Sequence, residues 1–205
     1  MNIDKAVRKQ KKSYRIFMLS MSFIFFALPT FLYFSKRYTI FYMIYLMIIE
    51  ILIFLAVIIR TSNELLSFEY NKYKLVIMLG LKRNKINIIC DKIILVDVES
   101  YTSQSNALED FKIIILATSK FRSSKMLPVR LEFLKRYSYI AYEYDKFKMI
   151  HPEWNIYYTV IKRGGIKKYL LLNYIYKSCV YAHFTEQAID KIKYYRDNSD
   201  KIKSK

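Results

Sequence analysis

Two stretches of sequence decide the fold: residues 16–34, IFMLSMSFIFFALPTFLYF, and residues 39–59, TIFYMIYLMIIEILIFLAVII. The first contains no charged residue and the second contains one, Glu50. A helix needs about 20 apolar residues to cross the hydrocarbon core of a bilayer. Because four residues separate the two stretches, they predict an antiparallel transmembrane hairpin of two helices over 16–59.

The charge distribution predicts the orientation of this hairpin. The chain carries 35 Lys and Arg against 17 Asp and Glu, a formal net charge of +18. Six cations precede the first stretch: Lys5, Arg8, Lys9, Lys11, Lys12 and Arg15. The turn carries two, and positive flanks remain in the cytoplasm. We therefore expect a multi-pass protein of the cell membrane with both termini cytoplasmic and a basic cytoplasmic tail over residues 1–15.

Glu50 lies near the middle of the second stretch, where a charged side chain costs about 2.5–3.5 kcal/mol on insertion scales. Counting an equal distance from the turn along the first stretch reaches Ser20 and Ser22, so we expect a hydroxyl beside the carboxyl group. One interpretation is a proton or substrate relay. The interpretation we favour is a structural or oligomer-docking contact, because two helices alone cannot line a pathway.

Residues 61–205 are β-rich. Apolar alternation predicts strands over 73–79, 85–90, 91–99, 111–118 and 156–161, and one or two more over 169–181. Residues 129–149 fit either a helix or a Tyr-rich strand, and we favour the helix. Thr185 is a good N-cap and Glu186 suits the first turn, which predicts a C-terminal helix over 186–197. The fold class is therefore a membrane α-helical hairpin followed by an α+β cytoplasmic domain.

The segment YKLVIMLGLKRNKINIICDKIILVDVES, residues 73–100, resembles the core of pleckstrin-homology-like (PH-like) domains in small bacterial membrane proteins with a transmembrane hairpin. The resemblance covers residues 70–100, with 185–198 as the closing helix. It implies an antiparallel β-barrel or sheet with a C-terminal helix, no catalytic residues, and membrane-associated scaffolding or regulation. Residues 129–155 depart from the simplest form of the family and are expected to be an insertion.

Several kinds of catalytic or metal site are excluded or disfavoured by composition. The three glycines, Gly80, Gly164 and Gly165, do not have the spacing of a P-loop or of a dinucleotide fingerprint. His151 and His183 have no metal-ligand set near them in sequence, and Cys90 and Cys179 fall on apolar strand faces as buried small hydrophobes. No catalytic signature is present, so we expect no enzyme, no cofactor and no metal.

The basic charge implies a partner. Lys and Arg near an anionic leaflet contribute roughly 1 kcal/mol each, and we assign this contact to the six tail cations together with Lys82, Arg83, Lys162 and Arg163. The expected function is non-catalytic: a PH-like domain at the inner membrane surface for protein scaffolding or regulation, or for anionic-lipid contact, with a protein partner or as a homo-oligomer. One alternative is a hairpin that self-assembles around Glu50 as a transport or channel component. Another, less favoured, is a membrane-tethered nucleic-acid binder whose tyrosines stack bases.

Overall fold

A computed structural model describes residues 3–36, 39–71, 74–81, 84–102, 109–120, 123–165 and 167–200. Its first two helices are α1 (Ile3–Phe34) and α2 (Ile40–Glu64). Both are long and apolar enough to cross a membrane: mean hydropathy reaches 1.9 within Lys12–Phe34 and 2.7 within Ile40–Glu64. Neither apolar segment is buried inside the protein. The predicted basic tail belongs to α1 and is helical from Ile3 onwards.

The domain that follows contains two β-sheets. The first is antiparallel, in the order β1-β2-β3, and comprises β1 (Leu66–Asn71), β2 (Lys74–Leu79) and β3 (Asn84–Ile89). The second has the order β6-β7-β5-β4-β8 and comprises β4 (Ile93–Thr102), β5 (Glu109–Ala117), β6 (Leu127–Pro128), β7 (Tyr157–Ile161) and β8 (His183–Phe184). Its pairs are antiparallel except β4 with β8, which is parallel.

Four helices complete the domain: α3 (Leu131–Arg136), α4 (Ser138–Ile150), α5 (Lys167–Ser178) and α6 (Glu186–Asp200). The helix favoured over 129–149 is confirmed. The strands predicted over 169–181 are wrong, because α5 occupies most of that segment. Its buried residues, Lys168, Leu171, Leu172 and Ile175, recur every three to four positions, which is the helical period. Packing of this one face against the core decided for the helix, because strand propensity depends on the surroundings of a segment.

The second sheet lies between two apolar layers. Alternate residues of β5 face opposite sides: Ile113 and Ile115 pack with the first sheet, α5 and α6, whereas Ile114 and Leu116 pack with α3 and α4. All four side chains are fully buried. A strand buried on both faces reads as a continuous apolar run rather than an alternation, as residues 113–117 do.

The C-terminal helix begins where predicted and ends three residues later, at Asp200. The Thr185 hydroxyl accepts a hydrogen bond from the Ala188 amide at 3.3 Å, which is the expected N-cap. It also donates to Oδ1 of the buried Asp97 at 2.8 Å. Helix α6 packs against α5, β4 and α1, so the domain contacts the first hairpin helix.

Candidate membrane-proximal site

The last turn of α2 is attached directly to the domain. Leu65 alone separates α2 from β1. The Gly164 amide donates a hydrogen bond to the Asn63 carbonyl at 3.0 Å, and Nη1 of Arg163 donates to the Ser62 hydroxyl at 3.1 Å. The loop after β7 is therefore joined to the C-terminal end of α2. We call these contacts the α2 junction.

Two glycines make the α2 junction possible. The Gly80 amide donates to the Leu65 carbonyl at 2.9 Å, and Gly80 has φ +67°. Gly164 has φ +116°, and a Cβ there would lie 2.5 Å from Cδ2 of Leu66. Both positions need backbone conformations that side-chain-bearing residues rarely adopt, so the close approach of loop and helix end depends on glycine.

Polar contacts also join the two hairpin helices at this end. The hydroxyls of Tyr14 and Thr61 are hydrogen-bonded at 3.1 Å. Arg60 pairs with Glu64, Nη2 to Oε1 at 3.0 Å, and its guanidinium lies 5.9 Å from the ring centroid of Phe17. Thr61, Ser62 and Asn63 are consecutive, so these contacts and the α2 junction lie in the same turn of α2.

A buried lysine supports the loop from inside the domain. Lys168 is fully buried, and its Nζ lies 2.6 Å from Oδ1 of Asp110. It also donates to the carbonyls of Lys162, at 3.0 Å, and of Phe111. All three ammonium protons are thereby used, which offsets the burial of the charge. The network positions the Lys162 backbone at the start of the junction loop.

Tyr101 completes this network. Its hydroxyl donates to Oδ2 of Asp110 at 2.8 Å. Burial, the hydrogen bond to Asp110 and the charge of that carboxylate together raise the pKa of Tyr101 to about 12, burial being the largest cause. Burial lowers the pKa of Lys168, and the Asp110 carboxylate opposes that change. These residues form a structural polar cluster whose donors are directed inward.

A cleft of about 390 Å³ lies beside the loop, between α3 and β7, and we call it the α3–β7 cleft. Its base is apolar and aromatic, with the rings of Phe133 and Tyr158 stacked at 3.8 Å between centroids. Its charged lining comprises three cations and one carboxylate: Arg130, Arg136, Lys162 and Glu132. The other lining residues are Leu127, Pro128, Tyr137 and Val160.

The cations of the cleft are not neutralised from within the domain. Arg130, Arg136 and Lys162 have exposed side chains, and no carboxylate in the described parts of the chain forms an ion pair with any of them. The Tyr137 ring lies 5.9 Å from the Arg136 guanidinium and 4.8 Å from Nζ of Lys112. The cleft is therefore a concave surface with a positive charge excess, which favours anions.

The structure separates the residues that we predicted to contact lipid into groups. Lys162 lines the cleft and Arg163 belongs to the α2 junction, whereas Lys12 and Arg15 are exposed on α1. The structure does not describe the side chains of four tail residues, Lys5, Arg8, Lys9 and Lys11. Two loop residues, Lys82 and Arg83, also lie outside the described part.

Sequence reasoning missed Arg130 and Arg136. No local pattern marks them, because they stand about 30 residues before Lys162 in the chain. Packing of α3 against β7 brings these three cations to one cleft.

The polar residues within the hairpin are placed differently from one another. Glu50 is half-buried on α2, and Ser20 and Ser22 are exposed on α1. No hydrogen bond between described residues joins Glu50 to either serine. The hydroxyl contact that we expected for Glu50 stays a prediction.

The histidines and cysteines are not assembled into a metal centre among the residues described. His151 stacks on Trp154 with ring centroids 3.8 Å apart, and its Nδ1 lies 3.4 Å from Oε1 of Glu153. The burial predicted for Cys90 and Cys179 is confirmed, but their placement on strands is wrong, because Cys90 begins a short 3₁₀ helix and Cys179 follows α5.

No protein-family model, curated protein or solved structure matches this chain.

Proposed function

We propose that the chain is a non-catalytic integral membrane protein whose hairpin holds a PH-like domain against the inner face of the cell membrane. There the domain contacts anionic lipid and acts as a scaffold for a protein partner. The observation that carries this proposal is the α2 junction: one residue separates the hairpin from the domain, and Gly164 is hydrogen-bonded to the carbonyl of Asn63. A domain attached in this way stays at the membrane surface.

The orientation is supported by the charges beside the apolar segments. Lys12 and Arg15 precede the apolar part of α1, and Arg60 lies in the last turns of α2. These cations stand at the same end of the antiparallel hairpin as the domain. Cationic flanks are retained in the cytoplasm, so this end and the domain belong on the inner side.

The PH-like assignment is supported by strand order and by the last helix. Residues 70–100 cover the end of β1, all of β2 and β3, and most of β4, which pair antiparallel within their sheets. Helix α6 packs on β4 in the place of a closing helix. Helices α3 and α4 add a layer on the other face of the second sheet. We interpret this layer as the insertion expected over residues 129–155.

Reporter cysteines test the topology. The native thiols are poor reporters because Cys90 is 2% exposed and Cys179 is 1% exposed. Val180 is 79% exposed in the domain, and Ser35 is exposed at the hairpin turn. We expect a membrane-impermeant thiol reagent to label Ser35→Cys in intact cells and Val180→Cys only after lysis. The wild-type chain is the control for background labelling.

Two outcomes would overturn the topology. Labelling of Val180→Cys in intact cells places the domain outside. Failure of Ser35→Cys to react until lysis means that the hairpin does not cross the membrane.

Lipid contact is tested separately by hydrogen exchange on the full-length protein in nanodiscs. We expect residues 160–165 to exchange more slowly in discs containing phosphatidylglycerol than in discs of phosphatidylcholine alone. Peptides from α4, on the opposite side of the second sheet from the first sheet and α5, are the internal reference. Equal exchange of residues 160–165 in both discs would contradict anionic-lipid contact.

A further inference from the structure

We propose that the α3–β7 cleft is a binding site for one anionic phospholipid, whose phosphate is held between Arg136 and Lys162. This inference rests on the proposed function, because it requires the domain to lie at the inner leaflet. It goes further by assigning a saturable site, a ligand class and the residues that bind the phosphate.

The charge of the cleft selects an anion. Three cations line it against the single carboxylate of Glu132, and they have no ion-pair partner among the described carboxylates. Arginine offers a planar set of donors that matches phosphate oxygens, and lysine adds a mobile point charge. Arg136 and Lys162 together provide both types of donor.

The rest of the lining selects an amphiphile over a bare ion. The stacked pair of Phe133 and Tyr158, with Val160, forms an apolar wall next to the cations. The volume of about 390 Å³ lies within the range of roughly 300–1,000 Å³ that small-molecule pockets occupy. A phosphate joined to a glycerol backbone would use both parts of this surface.

Strand register identifies which end of the cleft holds the phosphate. Ile161 pairs with Ile113, so Lys162 lies beside Lys112, whose Nζ is 4.8 Å from the Tyr137 ring. The guanidinium of Arg136 lies 5.9 Å from the centroid of the same Tyr137 ring. Arg136 and Lys162 therefore stand near one end.

Arg130 belongs to the opposite end of the cleft. Its neighbour Val129 donates a backbone hydrogen bond to Ile156 at 3.1 Å, just before β7 begins. Strand β7 advances about 3.3 Å per residue, which separates the two ends by well over 10 Å. We therefore expect Arg130 to contribute less to the phosphate site.

The Lys162 end of the cleft is also the end nearest the membrane helix. Gly164, two residues after Lys162, is hydrogen-bonded to Asn63 in the last turn of α2 at 3.0 Å. Because consecutive Cα atoms are 3.8 Å apart, the Lys162 backbone lies within roughly 10 Å of that helix end. A lipid headgroup in the inner leaflet is within reach of this position.

Native mass spectrometry of the full-length protein tests the site. Protein released from mixed bilayers of phosphatidylglycerol and phosphatidylcholine should retain one phosphatidylglycerol. Arg136→Gln/Lys162→Gln should reduce the retained fraction at least tenfold, because both charged donors to the phosphate are removed. Glutamine at 162 keeps the backbone carbonyl that accepts from Lys168, so the buried network is preserved.

Lys125→Gln/Lys146→Gln is the matched control. It removes the same charge from two exposed lysines outside the cleft and should leave retention unchanged. An equal loss in both double variants would overturn the specific site. The lipid contact would then be diffuse and electrostatic, which agrees with the proposed function but not with a phosphate site in the cleft. Retention of phosphatidylcholine and phosphatidylglycerol in equal amounts by the wild-type protein would also overturn it.

A competition arm distinguishes a lipid from a soluble phosphate. Glycerophosphoglycerol carries the same phosphodiester and glycerol backbone without acyl chains. If an equimolar amount leaves phosphatidylglycerol bound, the lipid assignment is supported. If it displaces the lipid, the lipid assignment is overturned in favour of a soluble phosphate ester.

Discussion

The amide nitrogen of Gly164 lies 3.0 Å from the carbonyl oxygen of Asn63 and donates a hydrogen bond to it. This bond ties the loop after β7 to the last turn of α2. The same loop begins at Lys162, whose side chain lines the α3–β7 cleft and whose carbonyl accepts from the buried Lys168. Contacts to α2, to the cleft and to the interior of the domain therefore all come from residues 162–164.

Gly164→Ala should destabilise the protein. At φ +116° an alanine is strained, and its Cβ would lie 2.5 Å from Leu66; we expect a loss of about 2–4 kcal/mol. Denaturant unfolding of the detergent-solubilised chain, followed by Trp154 fluorescence, measures it. Gly165→Ala is the control: at φ +49° it should cost only about 1–2 kcal/mol. Equal losses would argue against the close packing on Leu66.

Lys168→Met should be more destabilising than an ordinary surface change. It leaves Asp110 without its partner and the Lys162 and Phe111 carbonyls without a donor. Breaking a buried pair costs about 3–5 kcal/mol, and we expect the lower part of that range because the Asp110 side chain is 30% exposed. Unfolding should show partial recovery in Lys168→Met/Asp110→Asn. Lys177→Met, on the exposed face of the same helix, should change stability little.

Tyr101 should titrate later than an ordinary phenol. Its pKa is raised to about 12 from the ordinary value of 10.0, so the folded state holds this proton more tightly than the unfolded state does. The stabilisation is complete below about pH 10 and is lost as the pH rises through 12. In tyrosine-labelled protein, the ¹³Cζ NMR signal of Tyr101 is the one that disappears in Tyr101→Phe. We expect the chemical shift of this signal to stay constant to above pH 11. A midpoint near 10 would show that the contact with Asp110 is absent.

Thr185→Val should destabilise the C-terminal helix and its contact with β4. The change removes the cap on Ala188 and the donor to the buried Asp97. The lost cap and the unsatisfied carboxylate together cost about 2–3 kcal/mol. Thr185→Ser preserves both hydrogen bonds and should unfold close to wild type. If valine and serine behave alike, Thr185 does not act through its hydroxyl.

Tail cations should differ in their effect on the surrounding lipid. Because α1 is a continuous helix from Ile3, Lys5 lies about 16 Å along its axis from residue 16, at 1.5 Å per residue. The Debye length is about 8 Å at physiological ionic strength. Lys12→Gln/Arg15→Gln should therefore lower the enrichment of anionic lipid in polymer-extracted membrane discs more than Lys5→Gln/Arg8→Gln. The reverse order would mean that the tail lies along the membrane surface.

The two ambiguous segments show how far local pattern can predict structure. Residues 129–149 have apolar residues at helical spacing, and the helix favoured there is present as α3 and α4. Residues 169–181 have the same kind of spacing at Leu171, Leu172 and Ile175, but one or two strands were predicted there from apolar alternation. The outcome there depended on what the segment packs against, because strand propensity reflects the packing of side chains on a sheet more than the backbone itself.

Sequence alone determined the two long apolar helices, the main strands of the domain and the cap of the last helix at Thr185. Each of these follows from consecutive residues: hydropathy over about 20 positions, alternation over five or six, or one hydroxyl before a helix. Tertiary structure alone decided that the second sheet is covered on both faces, that Lys168 is buried against Asp110, and that Arg136 shares a cleft with Lys162. Those relationships join residues far apart in the chain, and only the packing of the elements brings them within contact distance.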